Sequence, residues 1–327
     1  MKDRPEALDD HTLWQALDAW GIGAVTLAYA PVGFGDQHWI AESDEGRAYF
    51  VTVANLAHKD QWGSGPEAAL DGLRRAMDTT AALRAQPGAD FVVAPLTTSA
   101  GETIRPLGTH YALSVFPYES GEPGEFGQPL SAEERGRVVD TLAVLHGSTV
   151  PHRIPELSPA LSVRGPLEQA LTAAQSPWHG GPFSEPAREL IAAAGETLRG
   201  QLATFDRLVG EVTAQGAHRV VTHGEPHPGN VLRRGDRLLL VDWDTVGFAV
   251  PERDLWLAAA GPAELDRYAR ATGHPPDPAA LALYALRWEL EDVASYLGWF
   301  RAPHERTPDT ELAWAALSAT VRGWLTP

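Results

Sequence analysis

The chain has 327 residues, room for about two domains of ordinary size, with 44% apolar and 21% charged residues, as in a globular protein with a substantial core. Asp and Glu number 43 against 26 Lys and Arg, and the net charge of −17 disfavours nucleic acid and anionic membranes as partners. The absence of cysteine excludes disulfides and thiolate chemistry, no apolar run is long enough to span a membrane, and the charged start MKDRPEALDDHTLW lacks a signal peptide's apolar stretch, so a cytoplasmic protein is expected.

The first third reads as strands around one helix. GAVTLAYAPVG (residues 23–33), QHWIAES and RAYFVTVA have the β-branched and aromatic content of strands, with GFGD and DEG as the turns between them. PEAALDGLRRAMDTTAALRAQ follows as a helix, opened by Pro66 and ended by Pro87-Gly88. FVVAPL and HYALSVF return to strand character. The Gly/Pro-rich stretch PYESGEPGEFGQP then reads as a linker between a β-rich lobe, residues 1–118, and a helical lobe, residues 119–327.

The second lobe opens on a capping box, Ser131 with Glu134, ahead of RGRVVDTLAVLHG, whose Val138, Leu142 and Leu145 repeat at helical spacing. One long helix is expected from Pro186 to about Gln215, and two more near 279–300 and 309–325. Between them NVLRR and RLLLVD form a strand pair closed at Gly235-Asp236. The expected fold class is α+β, with a small β-rich N-terminal lobe and a larger helical C-terminal lobe.

Chemistry concentrates in VTHGEPHPGN, residues 221–230. His223 and His227 are four apart with Glu225 between them, the count of a helical zinc site. Gly224, Pro226, Pro228 and Gly229 forbid that helix, so zinc is set aside. Kinase catalytic loops have the form H-x-D-x-x-x-x-N, followed by an aspartate at the end of a strand. Here Glu225 and Asn230 have that spacing, and the hairpin returns the chain so that Asp242 lies beside Asn230. Strict register pairs Asn230 with Val241, so Asp242 must fall just past the ladder to turn toward a metal. Asn and Asp offer hard oxygen ligands suited to Mg²⁺. Asp244 stands as either a second ligand or a solvated acid.

With HGEPHPGNVL, LLLVDWD and AVPERDLWL in place, the chain resembles the aminoglycoside phosphotransferase family, which has the protein-kinase fold, and most of all its spectinomycin phosphotransferase branch. The resemblance implies that Gly33, Phe34, Gly35 and Asp36 cover the phosphates of a nucleotide and that the hinge with Phe116 and Tyr118 receives adenine. It puts Glu225 at the catalytic-base position in a loop braced by His223 and Asp254, with Asn230 and Asp242 as metal ligands. ATP and Mg²⁺ are the implied cofactors.

Two departures from the family pattern stand out. Glu225 replaces the usual aspartate, moving the carboxylate one methylene outward. Thr52 in YFVTVAN takes the place of the phosphate-binding lysine of the third strand. Lys59 or an arginine such as Arg74 then supplies the charge, or magnesium carries most of it, or catalysis is lost.

In RWELEDVASYLGWF, Glu289 and Asp292 share a helical face near Trp288, which suits a cationic, polyhydroxylated acceptor. The expected function is ATP-dependent O-phosphorylation of an aminoglycoside- or aminocyclitol-like antibiotic. The rival is a kinase-shaped protein that binds a small molecule without phosphoryl transfer.

Overall fold

The computed structural model describes residues 1–326 apart from 6, 7, 64, 215 and 217. The N-terminal segment forms a helix that composition alone did not single out, α1 (Asp10–Leu17). The Asp9 carboxylate caps it, accepting the Thr12 amide at 2.9 Å.

β1 (Ala24–Ala30), β2 (Gln37–Ser43), β3 (Ala48–Asn55), β4 (Arg105–Leu107) and β5 (Tyr111–Pro117) make an antiparallel sheet in the order β1-β2-β3-β5-β4. α2 (Pro66–Arg84) lies between β3 and β4 in sequence. Alternation decides the two faces of the sheet. Trp39 and Ala41 of β2, Val51 and Val53 of β3, and Leu113 and Val115 of β5 are buried in one cluster with Leu13 and Leu17 of α1. Each such leucine contributes about 1.5–3 kcal/mol by leaving water. The intervening residues, His38 and Thr52 among them, are directed to the opposite face.

After β6 (Glu122–Pro123) come α3 (Ala132–His146), α4 (Arg164–Ala173), α5 (Ser184–Ala193) and α6 (Gly195–Ala214). Then follow β7 (Val220–Thr222), β8 (Val231–Arg234), β9 (Arg237–Leu240), β10 (Gly247–Ala249), α7 (Glu252–Ala258), α8 (Pro262–Thr272), α9 (Pro278–Arg301) and α10 (Pro308–Leu325). β7 pairs with β10, and β8 lies between β6 and β9. The capping box of α3 is present in both directions, Glu134 N to Ser131 Oγ at 3.2 Å and Ser131 N to Glu134 Oε2 at 2.8 Å.

Two expected elements come out differently. The stretch 186–215 is not one helix: the chain leaves helical geometry at Ala194, ψ 7°, and restarts at Gly195, a weak helix former. Its expected end, Gln215, lies outside the described residues. FVVAPL is not a regular strand either. Val92 and Val93 are buried; Val92 makes a single parallel bridge to Leu240, flanked by Val93 N to Leu240 O and Leu240 N to Phe91 O, and Leu96 N donates to Val115 O of β5 at 2.7 Å.

The chain forms two compact units, Met1–Ser158 with His218–Pro276, and Pro159–Ala217 with Asp277–Pro327. The first holds the large sheet, α2, α3 and the β7–β10 region. In the second, α9 packs against α4, α5, α6 and α10. The class is α+β, and no helix among the described residues is long and apolar enough to cross a membrane.

Candidate active site

The loop after β7 is held from beneath by one carboxylate. Asp254 of α7 is fully buried and accepts the amides of His223 at 2.8 Å and Gly224 at 2.6 Å, and it also meets His146 Nε2 at 3.0 Å. Burial would raise its pKa, but His146, with the charge of Arg253 and then of His223, brings it below the ordinary aspartate value. His146 in turn meets the hydroxyl of Tyr268 at 2.8 Å through Nδ1.

His223 is used up inside the protein. Its Nε2 donates to the carbonyl of Val241 at 2.9 Å, and its Nδ1 accepts the Glu225 amide at 3.2 Å. That pair fixes a neutral tautomer, and burial lowers the pKa further from protonation. With both ring nitrogens occupied, His223 has no lone pair to offer a metal. It joins the loop to the segment bearing Asp242.

Gly224 turns the loop at φ 105°. A Cβ there would run into the guanidinium of Arg253, which is itself committed to Thr222 Oγ1 and Thr245 O, both at 2.9 Å. Beyond it, the Glu225 carbonyl accepts the His227 amide at 2.8 Å and the Asn230 side-chain amide at 3.0 Å. Asn230 thereby spends its nitrogen on the loop. Its Oδ1 receives no protein donor among the described residues.

The hairpin has the register expected from its two-residue turn, Val231 opposite Leu240, and Val241 N donates to Asn230 O at 3.0 Å. The ladder ends there. Asp242 follows with φ 63°, a left-handed conformation that Asp tolerates better than most residues and that collects at functional sites. Trp243 is buried, with its indole N–H on Leu240 O at 2.8 Å, and anchors the chain between Asp242 and Asp244.

Lys59 completes the cluster. It lies just past the short helical turn after β3 and is largely buried. Its Nζ donates to Asp244 Oδ2 at 2.6 Å and lies 2.9 Å from Asp36 Oδ1. The second contact has an ion pair's distance without a hydrogen bond's alignment, so the buried Asp36 Oδ1 is left without a hydrogen-bond donor. The titration of the two carboxylates follows this difference. Burial pushes both up; Lys59 brings Asp244 below the ordinary value, whereas Asp36 stays raised, with the charge of Asp244 adding to its burial. Lys59 is disfavoured by burial but held charged above the usual lysine range by Asp244 and Asp36.

Asp242 remains accessible to solvent, yet protein atoms crowd it. That crowding, then the charges of Asp244, Glu225 and Asp36, push its pKa well up. Two carboxylates thus share the Lys59 ammonium, and the charges of those two and of Glu225 act on Asp242. Among the described residues no three His, Cys, Asp or Glu side chains make a preformed metal site. The donor set here is of another kind, two aspartates and a carboxamide oxygen, all hard ligands with an excess of negative charge. It fits Mg²⁺.

The other expected residues fall in separate places. Gly33 (φ 69°), Phe34, Gly35 (φ 104°) and Asp36 form the turn between β1 and β2. Thr52 pairs with His38, its Oγ1 3.2 Å from Nδ1, and burial lowers that histidine's pKa to about 3. The side of β3 that would carry a lysine is therefore occupied by an uncharged pair. Phe116 is the next-to-last residue of β5, and Tyr118 is exposed with its amide on Ala48 O at 3.3 Å. In the second unit, Trp288, Glu289 and Asp292 lie on α9. Glu289 Oε2 accepts Trp324 Nε1 at 2.6 Å, and Asp292 pairs with Trp288. Burial, with the charges of Glu291 and Glu289, pushes Asp292 up to about 7.

Residues 27–284 match the family described as phosphotransferase enzyme family. The chain belongs to that family. Protein StrN of Streptomyces griseus is 28% identical over 264 residues, 76% of this chain and 77% of that protein. Spectinomycin phosphotransferase APH(9)-Ia, solved with ADP and spectinomycin, has the same fold, with a TM-score of 0.70 at 16% identity over 98% of this chain and 99% of that one. Amicoumacin kinase hAmiN, solved with AMP-PNP and Ca²⁺, superposes with a TM-score of 0.55 at 12% identity, covering 98% and 95% of the two chains. This phosphotransferase family includes antibiotic kinases and related small-molecule kinases, and the chain has their kinase-like fold.

Proposed function

We propose that the chain transfers the γ-phosphoryl group of ATP to a hydroxyl of a cationic, polyhydroxylated small molecule of the aminoglycoside or aminocyclitol type. The observation that carries this reading is that Asp242, which follows the hairpin beside Asn230, lies within electrostatic reach of Glu225, Asp36 and Asp244, the last two held on Lys59. In this reading residues 1–118 bind the nucleotide, and residues 119–327 carry the catalytic loop and the acceptor site. A cytoplasmic location suits a nucleotide donor.

Asp242 and Asn230, with Asp244, would hold Mg²⁺, which when bound neutralises charge on the phosphate oxygens. Glu225 accepts the proton of the acceptor hydroxyl as its oxygen bonds to the γ-phosphorus and the bond to the bridging oxygen of ADP breaks. Gly33–Asp36 cover the phosphates, and Phe116 and Tyr118 border the adenine. Trp288, Glu289 and Asp292 supply the aromatic and acidic groups for the acceptor. The complexes of the two structural neighbours, with ADP and spectinomycin and with AMP-PNP and Ca²⁺, support nucleotide, metal and antibiotic alike.

The test is incubation with Mg-ATP and a panel of spectinomycin, other aminoglycosides and small amino alcohols, with added phosphate read by mass. Phosphorylation of one class is expected, falling about 10²–10⁴-fold in Glu225→Gln and vanishing in Asp242→Ala. No product from any acceptor, together with no thermal stabilisation by Mg-ATP, rejects the transferase. Stabilisation by an acceptor alone would then favour a protein that sequesters it.

A further inference from the structure

The strand that should carry a phosphate-binding lysine carries Thr52, and Thr52 is committed to a neutral histidine. Positive charge nevertheless reaches the same region by another route. Lys59 comes from the turn that follows β3 and lies against the DWD segment at Asp244. Apart from Lys2 it is the sole lysine in the sequence. A buried ammonium with two carboxylates is a finished ion cluster, and nothing in it requires a ligand. Its two partners, however, are unequal.

Asp244 is joined by an aligned hydrogen bond of 2.6 Å from a segment anchored by buried Trp243. Asp36 makes an unaligned contact at 2.9 Å, leaves its buried Oδ1 without a hydrogen-bond donor, and sits at the end of a turn with Gly33 and Gly35 at φ 69° and 104°. The backbone of that turn is tied by the Met1 amine, which donates to the carbonyls of Val32, Gly33 and Asp36 at 2.9, 2.9 and 3.2 Å, but none of these bonds involves the Asp36 carboxylate, so the side chain can leave Lys59 without breaking them.

We propose that Lys59 is the phosphate-binding cation of this chain and that the Asp36 carboxylate occupies it until a nucleotide phosphate takes its place. The inference rests on the phosphotransferase reading above and goes beyond it by assigning the missing charge and its competitor. Asp244 stays on Lys59 throughout and fixes its position. A phosphate group carries more charge and more acceptor oxygens than a carboxylate, so it exchanges with Asp36 but not with the better-held Asp244. The Asp36 side chain is released from the ion pair as the phosphate arrives, while the backbone of the β1–β2 turn keeps its bonds to Met1. No bond is made or broken in this exchange, and no proton need move.

The experiment compares ADP with adenosine by calorimetric titration, each in the presence of Mg²⁺, on the full chain. Adenosine reports binding without phosphate contacts. For Lys59→Met, ADP affinity is expected to fall about tenfold or more while adenosine affinity holds. For Asp36→Asn, the carboxylate that competes is neutralised, and ADP is expected to bind several-fold tighter with adenosine again unchanged. Opposite signs in the two variants are the signature of exchange. If both variants weaken ADP together, Lys59 is a structural tie between the turn and Asp244, and the proposal is overturned. An unchanged ADP-to-adenosine ratio in Lys59→Met overturns it as well. Should Lys59→Met not fold, as judged by circular dichroism, the sign for Asp36→Asn decides. Failure of the native protein to bind ADP at all counts against the phosphotransferase reading itself and removes this inference with it.

Discussion

Asp254 and Asp292 are both crowded carboxylates, and the protein treats them in opposite ways. Asp254 gathers two backbone amides and His146, and against the effect of burial His146 and the nearby Arg253 bring its pKa below normal. Its service is to hold the turn at His223-Gly224. Asp292 has Trp288 as a hydrogen-bond partner but Glu291 and Glu289 as neighbouring charges, and burial dominates, so its pKa rises to about 7. A raised folded-state value means that the folded protein binds this proton more tightly than the unfolded chain. The stabilisation is complete below the unfolded Asp value and is lost as pH climbs through about 7. Asp292→Asn removes the titration. The variant is expected to melt at a higher temperature than the native protein at pH 8 and at a similar one near pH 4. A scanning-calorimetry series across that range checks it, and parallel curves at every pH would contradict it. If α9 meets a cationic acceptor, the same ionisation makes native binding strengthen toward alkaline pH.

At the scale of elements, the catalytic loop rests on a glycine that no β-carbon can replace. Gly224→Ala places an L-residue at φ 105° and drives its methyl into Arg253, whose own bonds to Thr222 and Thr245 resist displacement. The conformation alone costs about 1–3 kcal/mol. Urea denaturation should show a lower midpoint with an unchanged slope, and an unchanged midpoint would mean that the loop relaxes freely. Much at this scale was written in local sequence. The capping box at Ser131 and Glu134, the turn at Gly235-Asp236 and the reach from Glu225 to Asn230 each depend on residues a few places apart, and each reads directly. The break at Ala194-Gly195 is not legible in the sequence, because apolar spacing continues across it while a single glycine marks the interruption. FVVAPL misled in the other direction, because burial alone makes an apolar run look like a strand. Glu289 reads from its spacing as part of an acidic helical face suited to a cationic acceptor. The indole of Trp324, a full helix away in sequence, is what it binds.

For the whole molecule, the deciding contacts are the distant ones. Lys59 and Asp244 are 185 residues apart in sequence, and His146 and Asp254 are 108 apart. No periodicity or motif announces such a pair. Thr52 in the lysine's place marks a missing charge and leaves Lys59 and Arg74 as candidates; the fold puts Lys59 on Asp244 and Asp36. The same fold sorts the expected residues between its two compact units: Gly33–Asp36, Lys59, Glu225, Asn230, Asp242 and Asp244 fall in the first, and Trp288, Glu289 and Asp292 in the second. A measurement that resolves position can therefore test nucleotide and acceptor separately. Hydrogen exchange with Mg-ADP should slow at residues 33–36, 59 and 223–245, where ligand contacts would suppress local opening. A cationic aminocyclitol added without nucleotide should slow exchange along α9 around residues 288–296 and leave the β1–β2 turn unchanged. Protection by ADP confined to α9 would contradict the proposed division of labour. So would protection of the 33–36 turn by the acceptor alone, because a ligand held by Trp288, Glu289 and Asp292 has no group that competes with Asp36 for Lys59.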